Sequence, residues 1–372
     1  EYSYYMGSDR LNSVQMTDTY SGETRSINYS YLASGDLERI TQAYSSDNPV
    51  ILTFEYDNAR RLTHVIDAHG NYIEYVLDTE GNVVEENIHD SNDSLRKSLS
   101  QTFDSYNRLQ TSVQMNENRT INFNPDGTVG SVVDGNGVLT EYDYDSLKRL
   151  VRMTQDSESP NPYTSSTITQ YIYDSQDNLT SVIAANNAET RYVYDDLGNL
   201  ISLVSPDTGT IHYEHDDAGN IVSVVDAKNQ LFSYVYDALN RLQRVETPDL
   251  SDNIYYTYDN CIQGQSLVCS VQRGNSTLNY KYNAFSDITE VSQLLITVDS
   301  FNTADNTVSY TYNANGDVSS IAYPGGAVVH YSYNAVGKVD NVYLEQDGVR
   351  NSLSLNISYL PFGEESIQTY GN

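Results

Sequence analysis

The sequence is short of most residues on which a conventional globular core depends. It has no tryptophan, two cysteines and a hydrophobic content of 38% in 372 residues, which is below that of a typical globular domain. No apolar run is long enough to span a membrane, and no signal peptide is recognisable at the start. The composition therefore argues against a membrane span within these residues and against a thick aliphatic core.

Positive charge is also scarce. Lys and Arg number 20 against 51 Asp and Glu, for a formal net charge of −31, so phosphate backbones would be repelled and nucleic acid is not expected as a partner. The acids are scattered, mostly at turns, which suits the solubility of a large exposed β surface. The alternative is calcium held between neighbouring turns, for example around Asp195-Asp196 and Asp216-Asp217. No other cofactor is expected.

Tyrosine, in contrast, is abundant, with 34 copies, and many of them belong to one recurring phrase. A Tyr is followed by Asp, two variable residues, Gly or a polar residue, then Asn or Arg, then an aliphatic residue. The residues that carry this signature most clearly are Tyr173, Asp174 and Leu179; Tyr194, Asp195, Gly198, Asn199 and Leu200; Tyr236, Asp237 and Leu242; Tyr312 and Gly316; and Tyr333 and Gly337. Such self-similarity predicts a scaffold of stacked units more readily than an enzyme.

The repeat runs through the whole chain. We call its Tyr-like position the anchor, and an aliphatic residue follows most anchors by six positions. Sixteen anchors are recognised, at Tyr5, Tyr31, Tyr56, Leu77, Phe103, Phe123, Tyr144, Tyr173, Tyr194, His215, Tyr236, Tyr258, Tyr282, Tyr312, Tyr333 and Tyr359. The sequence therefore predicts a single array over residues 1–372. Because the chain opens and closes inside a repeat, we expect it to be a segment of a longer repeat protein.

Each repeat has the chemistry of a β-hairpin. A second Tyr two residues before the anchor, as at Tyr192 and Tyr234, places both rings on one face of a strand. The Asp after the anchor can accept hydrogen bonds from backbone N–H groups just ahead, and a Gly such as Gly198 can take the positive φ that returns the chain. A second turn signal follows about half a unit later, for example at Asp226-Ala227-Lys228-Asn229. The pattern predicts an all-β array of antiparallel hairpins.

The two cysteines, Cys261 and Cys269, are eight residues apart on either side of a Gly-containing turn. On the two arms of one hairpin they would face each other, and we expect a disulfide, which would suit an oxidising compartment. The alternative is two unrelated thiols.

Catalytic chemistry finds little support. Asp207-Thr208-Gly209 matches an aspartic-protease triplet, but that mechanism needs two carboxylates and the triplet occurs once, in an ordinary second turn. His212 and His215 are three residues apart on a predicted strand, and this spacing places them on opposite faces. We therefore assign no catalytic, cofactor-binding or metal-binding residue.

The phrase Tyr-x-Tyr-Asp-x-x-Gly-Asn-Leu at residues 192–200 resembles the YD repeat, also called the RHS repeat. The Cys261/Cys269 hairpin resembles a Cys-bridged variant unit of such arrays, and Tyr359-Leu360-Pro361-Phe362-Gly363 resembles their Tyr-x-Pro-Phe-Gly units. The resemblance implies a continuous spiralling sheet that forms a shell, barrel or tube segment. Bacterial members of the family enclose a C-terminal toxin in such a shell, and teneurins carry a related shell outside the cell.

The resemblance leads to a functional expectation. The chain would be a non-enzymatic scaffold, a section of a β-shell in a large secreted or cell-surface bacterial protein that encloses or delivers a toxin cargo. The alternative is an adhesin or extracellular filament module that binds a partner or a glycan. The expected partners are neighbouring repeats of the same parent chain or other copies of it, together with a toxin cargo or a surface receptor or glycan.

Overall fold

The computed structural model describes residues 1–18, 22–42, 49–115, 117–156, 166–295 and 306–370. Its 32 strands belong to one sheet, and the strand pairs are antiparallel. Within these ranges the only helical element is a 3₁₀ turn at Leu250–Asp252, which Asp249 caps by accepting from the Ser251 N–H. The all-β prediction is confirmed. The wider spacing of the repeat between Arg152 and Thr169 and between Glu290 and Thr307 predicts an extended loop in each place, and most of each segment lies outside the described residues.

The strands follow one another along the chain with short connections. In the first part they are β1 (Tyr2–Tyr4), β2 (Leu11–Thr17), β3 (Thr24–Tyr31), β4 (Leu37–Gln42), β5 (Val50–Tyr56), β6 (Leu62–Asp67), β7 (Tyr72–Leu77), β8 (Val83–His89), β9 (Leu95–Phe103), β10 (Leu109–Gln114), β11 (Glu117–Phe123), β12 (Val129–Val133), β13 (Leu139–Tyr144), β14 (Leu150–Gln155), β15 (Thr167–Tyr173) and β16 (Leu179–Ile183). They continue as β17 (Glu189–Tyr194), β18 (Leu200–Ser205), β19 (Gly209–His215), β20 (Ile221–Val225), β21 (Leu231–Tyr236), β22 (Leu242–Glu246), β23 (Ile254–Tyr258), β24 (Val268–Arg273), β25 (Ser276–Tyr282), β26 (Ile288–Leu295), β27 (Thr307–Tyr312), β28 (Val318–Ala322), β29 (Val328–Tyr333), β30 (Val339–Gln346), β31 (Val349–Tyr359) and β32 (Glu365–Tyr370).

The repeat and the strands coincide. From β3 onward every odd-numbered strand ends on an anchor, and nearly every even-numbered strand begins with the aliphatic residue that the repeat places six positions later. Each repeat is thus a hairpin closed by its anchor turn, and a second turn leads to the next hairpin.

Most anchor turns share one geometry, seen clearly at Asp195. The Gly198 N–H donates to the Asp195 carbonyl at 3.1 Å, and the Asp195 N–H donates to the Asn199 carbonyl at 2.9 Å. Gly198 lies at φ 82°, the left-handed region that glycine adopts without steric cost. The strand register then shifts between Val193 and Tyr194, which is a β-bulge beside the turn. Bulges of this kind increase the local right-handed twist of the strand pair.

The two faces of the strands differ in chemistry. On β17 the rings of Tyr192 and Tyr194 are half-buried, whereas Arg191 and Val193, which alternate with them along the strand, are exposed. Tyr192 lies opposite Leu203 of β18, so aromatic and aliphatic side chains share one face. Among the described residues the buried apolar side chains are Ile88, Cys269 and Ile357. The apolar face is therefore mostly half-covered, as in a sheet one layer thick.

The contacts of the chain divide it into two compact units. Unit 1 comprises Glu1–Leu99 and Thr257–Asn372, and unit 2 comprises Ser100–Tyr256. Unit 2 is an uninterrupted run of hairpins in which consecutive strands pair from β10 to β23.

Unit 1 brings together segments that are far apart in sequence. Arg25, at the start of β3, forms an ion pair with Asp287, 262 residues away. Its guanidinium lies 4.2 Å from the ring centre of Phe285, a cation–π arrangement. The Gln42 side chain donates to the Asn315 carbonyl at 2.9 Å. The anchor turns of the C-terminal hairpins therefore pack against the residues that flank the second turns of the N-terminal hairpins.

The positive φ at the fourth turn position gives a first testable prediction. A Cβ added at Gly198 would meet nothing closer than Asn178 Oδ1 at 3.8 Å, so Gly198→Ala tests the backbone alone. We expect a loss of about 1–2 kcal/mol in the free energy of unfolding, because an L-residue in this region is strained. Asn187 has φ 63° in a second turn, and Asn187→Gly is the control, expected to leave stability equal or slightly higher. Urea unfolding followed by circular dichroism measures both, and an unchanged midpoint for Gly198→Ala would contradict the argument.

Candidate functional site: the anchor turn and its links to neighbouring repeats

The first side chain of the anchor turn holds the loop together. Asp195 Oδ1 accepts from the N–H groups of Leu197 and Asn199, at 2.9 and 2.8 Å. Asp195 Oδ2 accepts from the Asn199 side-chain amide at 2.9 Å. One carboxylate thus binds three N–H donors that the tight turn would otherwise leave to solvent.

The side chain of the fifth turn residue is complementary to that of the first, one donating a hydrogen bond that the other accepts. Where the first is Asp, the fifth is often Arg, as in Arg149, whose Nε donates to Asp145 Oδ2 at 2.7 Å. Where the first is Asn283, the fifth is Asp287, and the Asn283 amide donates to the Asp287 carboxylate at 2.9 Å. The bond is retained while donor and acceptor exchange positions. The two positions therefore act as a complementary pair.

These hydrogen bonds stabilise the ionised carboxylates. The bond from the Asn199 amide, with help from backbone N–H groups, holds the pKa of the Asp195 carboxyl below its usual value. The Asn178 amide lowers the pKa of Asp174 in the same way. A lowered pKa contributes stability that is present above the unfolded value of about 3.9 and is lost as pH falls through the folded pKa. The anchor turns therefore weaken in acid, below about pH 4.

Many anchor tyrosines link their repeat to the one before it. The Tyr236 hydroxyl donates to the carbonyl of Ile221 at 2.9 Å, and Ile221 is the aliphatic residue six positions after the preceding anchor. The same bond joins Tyr56 to Leu37, Tyr173 to Leu150, Tyr312 to Ile288, Tyr333 to Val318 and Tyr359 to Val339. The tyrosine thus packs its ring on the sheet and satisfies a carbonyl beside the neighbouring turn.

Neighbouring anchor turns also touch one another. Arg149 Nη1 donates to the carbonyl of Asp174, the first residue of the next anchor turn, at 2.9 Å. Lys148 Nζ donates to the carbonyl of Asp126 in the preceding turn at 2.6 Å. In unit 2 the anchor turns therefore form a continuous row, which we call the anchor-turn edge; its turns begin at Asp104, Asn124, Asp145, Asp174, Asp195, Asp216 and Asp237.

The signature residues occupy equivalent places in their hairpins. The anchors Tyr173, Tyr194, Tyr236, Tyr312 and Tyr333 end odd-numbered strands, and Leu179, Leu200 and Leu242 begin the strands that follow. Asp174, Asp195 and Asp237 open their turns, and Asn199 pairs with Asp195. Gly198, Gly316 and Gly337 have φ values of 82°, 94° and 74°. The hydroxyl link between repeats and the first–fifth pairing were not foreseen, although the pairing is visible in the sequence as Asp with Asn or Arg, and Asn with Asp.

The disulfide region forms a distinct anchor turn. Cys261 and Cys269 are joined, with their Cα atoms 5.4 Å apart, and Cys269 is buried. Gly264 packs directly over the bridge, since a Cβ there would lie 2.1 Å from Cys261 Sγ. The bridge closes a loop that is longer than the other anchor turns, between Tyr258 and Val268.

The candidate reactive residues remain apart. Asp207 lies in the second turn between β18 and β19, where its N–H donates to Ser205 Oγ at 3.3 Å. His212 is exposed on β19 and His215 is half-buried at the end of the same strand. Across the ranges that the structure describes, no group of three or more His, Cys, Asp or Glu side chains is arranged to hold a metal ion.

Calcium between the turns around Asp195 and Asp216 stays a prediction, and calorimetric titration with Ca²⁺ tests it. The structure does show that both carboxylate oxygens of each residue accept hydrogen bonds inside their own turns.

Among the residues that the structure describes, no helix has the length and apolarity needed to cross a bilayer.

Comparison with known proteins gives a consistent result. The sequence profile described as Teneurin YD-shell matches residues 76–294, more than half of the chain. No curated protein matches the full sequence significantly.

Solved structures match over nearly the whole chain. The structure of TcdB2-TccC3-TEV covers 99% of this chain with a TM-score of 0.67 at 14% sequence identity. The structure of TcdB2-TccC3 covers 99% of this chain with a TM-score of 0.67 at 15% sequence identity. The Photorhabdus luminescens Tc holotoxin pore with the TccC3-D651A mutation covers 99% of this chain with a TM-score of 0.66 at 14% sequence identity. At this identity the likeness shows the fold. The chain spans about a fifth of the length of these matched chains, 20%, 21% and 20% respectively.

The hydroxyl link predicts a selective effect of removing one oxygen atom. Tyr236→Phe leaves the ring in place but removes the donor to the Ile221 carbonyl, so we expect a loss of about 1 kcal/mol in the free energy of unfolding. Tyr234→Phe is the matched control, because Tyr234 lies two residues earlier on the same face and its change leaves the Ile221 bond intact. Chemical denaturation measures both variants, and equal effects would show that the link between repeats contributes nothing of its own.

The pairing of the first and fifth turn residues predicts a rescue. Asn199→Asp places two carboxylates side by side, and we expect a lower unfolding midpoint at pH 7 whose penalty shrinks as acid protonates the pair. Adding Asp195→Asn recreates the Asn–Asp arrangement of Asn283 and Asp287 and is expected to restore the midpoint. A double-mutant cycle in urea provides the measurement. A double variant no more stable than the single one would refute the complementary pair.

Proposed function

The chain belongs to the teneurin YD-shell family, and from this premise we propose that it is a non-enzymatic scaffold, a section of a YD-repeat β-shell within a larger secreted or cell-surface bacterial protein. Its parent encloses or delivers a toxin cargo. Its direct partners are neighbouring repeats of the same parent chain or other copies of it.

The observation that carries the proposal is that the recurring carboxylates and tyrosine hydroxyls of the motif form hydrogen bonds with the backbone. In the anchor turns the carboxylate of Asp195 and its equivalents bind the backbone of their own loop, and the anchor hydroxyls bind the preceding repeat. A catalytic group needs a free reactive atom beside a base or an electrophile, whereas these groups are committed to joining strands. The chemistry of the motif supports a wall rather than an active site.

The cargo role draws on the matched structures. The Photorhabdus luminescens Tc holotoxin pore is a toxin structure, and this chain aligns with 20% of the matched chain. In the described strands most apolar side chains are only half-covered, which suits a sheet that encloses something or is continued by more repeats. The disulfide between Cys261 and Cys269 supports an oxidising, extracellular location.

Protease protection tests this proposal directly. The full-length gene product is imaged by electron microscopy and treated with protease before and after opening with denaturant. We expect a hollow particle in which the region outside the repeats is protected until the particle opens. The same region produced alone is the control and should be digested at once. A solid fibre, or equal digestion in both forms, would overturn the cargo role.

A surface module that binds glycans is the second candidate. One observation favours it: in unit 2 the polar strand face has a depression lined by Asn122, Ser131, Glu141, Asp143 and Arg152, side chains that can donate to and accept from sugar hydroxyls. A glycan array probed with the chain and with Arg152→Ala separates the two roles. Binding that Arg152→Ala abolishes would favour the surface module.

A further inference from the structure

One turn position distinguishes the hairpins of unit 2. The third residue after the anchor is Tyr106, Leu147, Leu197 and Leu239 in alternate anchor turns. These side chains are 78%, 65%, 82% and 70% exposed. The turns between them carry Asp126, Gln176 and Ala218 at the same position. A large apolar side chain thus recurs at every second turn, which corresponds to four strands or roughly 19 Å along the edge.

The same position is covered in two of the C-terminal hairpins of unit 1, whereas Phe362 in the last one is 38% exposed. Phe285 is half-buried beneath the Arg25 guanidinium, and Val336 lines a cavity together with Val50. Gly337, next to Val336, lies so close to Val50 that a Cβ there would be 3.2 Å from its Cγ2. Within unit 1, therefore, the apolar residue of an anchor turn docks on residues that begin a strand after a second turn, such as Arg25 and Val50.

We infer that the anchor-turn edge of unit 2 is a docking surface for the opposite edge of another copy of this chain, with Tyr106, Leu147, Leu197 and Leu239 as its contact residues. We call that opposite edge the second-turn edge, because it consists of the second turns, such as the turn that begins at Asp226. In unit 1 this turn position is covered by residues that begin a strand after a second turn, such as Arg25 and Val50. Every hairpin has one anchor turn and one second turn, so the two edges have the same period and can align row on row. The inference rests on the scaffold role proposed above.

The chain also carries the complementary edge. Leu231 is the first residue of β21 and follows a second turn, as Val50 follows one at the start of β5. Its side chain is 52% exposed. Because the two edges of one copy are different surfaces, the contact is head-to-tail, and association continues beyond a dimer unless the geometry closes a ring. A row of four side chains is smaller than the roughly 800 Å² per partner of a stable interface, so the association is weak.

Sedimentation velocity and light scattering test the inference, on the whole chain from about 10 to about 200 μM, the range in which weak complexes form. The wild-type chain is expected to increase in average mass with concentration. The edge variant, Leu147→Ser with Leu197→Ser and Leu239→Ser, is expected to remain monomeric. Circular dichroism establishes that it is folded. Should the triple variant fail to fold, Leu197→Ser alone is expected to weaken association about tenfold, and Leu231→Asp, on the opposite edge, by a similar factor.

The matched control removes exposed apolar side chains of the strand face. Ile172 and Val193 are 47% and 49% exposed in unit 2, and Ile172→Thr with Val193→Thr is expected to associate like the wild type. A wild-type chain that is folded yet monomeric throughout, or equal association of the wild type and the edge variant, overturns the inference. Loss of association in the control also overturns it, because the strand face would then be the contact. Cargo protection is not measured here, so either proposal can fail without the other.

Discussion

A hairpin array requires every tight turn to satisfy its own backbone N–H groups. Here the side chain of the first anchor-turn residue accepts their hydrogen bonds. The carboxylate or amide at positions such as Asp195 and Asn283 accepts two backbone N–H bonds and pairs with the fifth residue. Because the turn is closed locally, its geometry can be repeated along the chain with different residues in the variable positions. The regularity of the sheet follows from that closure.

Neighbouring repeats are held together by side chains that interact both within their own repeat and with the next or the preceding one. Tyr236 packs its ring on the sheet and donates its hydroxyl to the preceding repeat, and Arg149 bonds its own turn and the next one. A sheet with three buried apolar residues in the described ranges has little core to rely on, so these links between neighbours carry more of the stability than they would in a globular domain. The energetics resemble those of a one-dimensional array, in which each unit depends on its neighbours.

The fold and most of the motif were predictable because the determining contacts are short in sequence. The Asp–Asn pair spans four residues, and the aliphatic residue follows its anchor by six, so spacing alone indicates strand ends and turns. The acceptor of the tyrosine hydroxyl was not predictable, since a hydroxyl at the edge of the apolar face can donate its hydrogen bond to water or to one of several carbonyls. Which carbonyl lies within reach depends on how neighbouring hairpins pair in three dimensions.

The sequence by itself determined the repeat, the strand boundaries and the identity of each turn, because these are encoded by residues within one hairpin. The tertiary structure decided which distant hairpins meet, such as the Arg25 and Asp287 pair, 262 residues apart. That encounter depends on twist accumulated over many strands and bulges, each contributing a few tens of degrees. No local motif specifies such a sum, so the covering of Phe285 and the exposure of Leu197 became visible only in three dimensions.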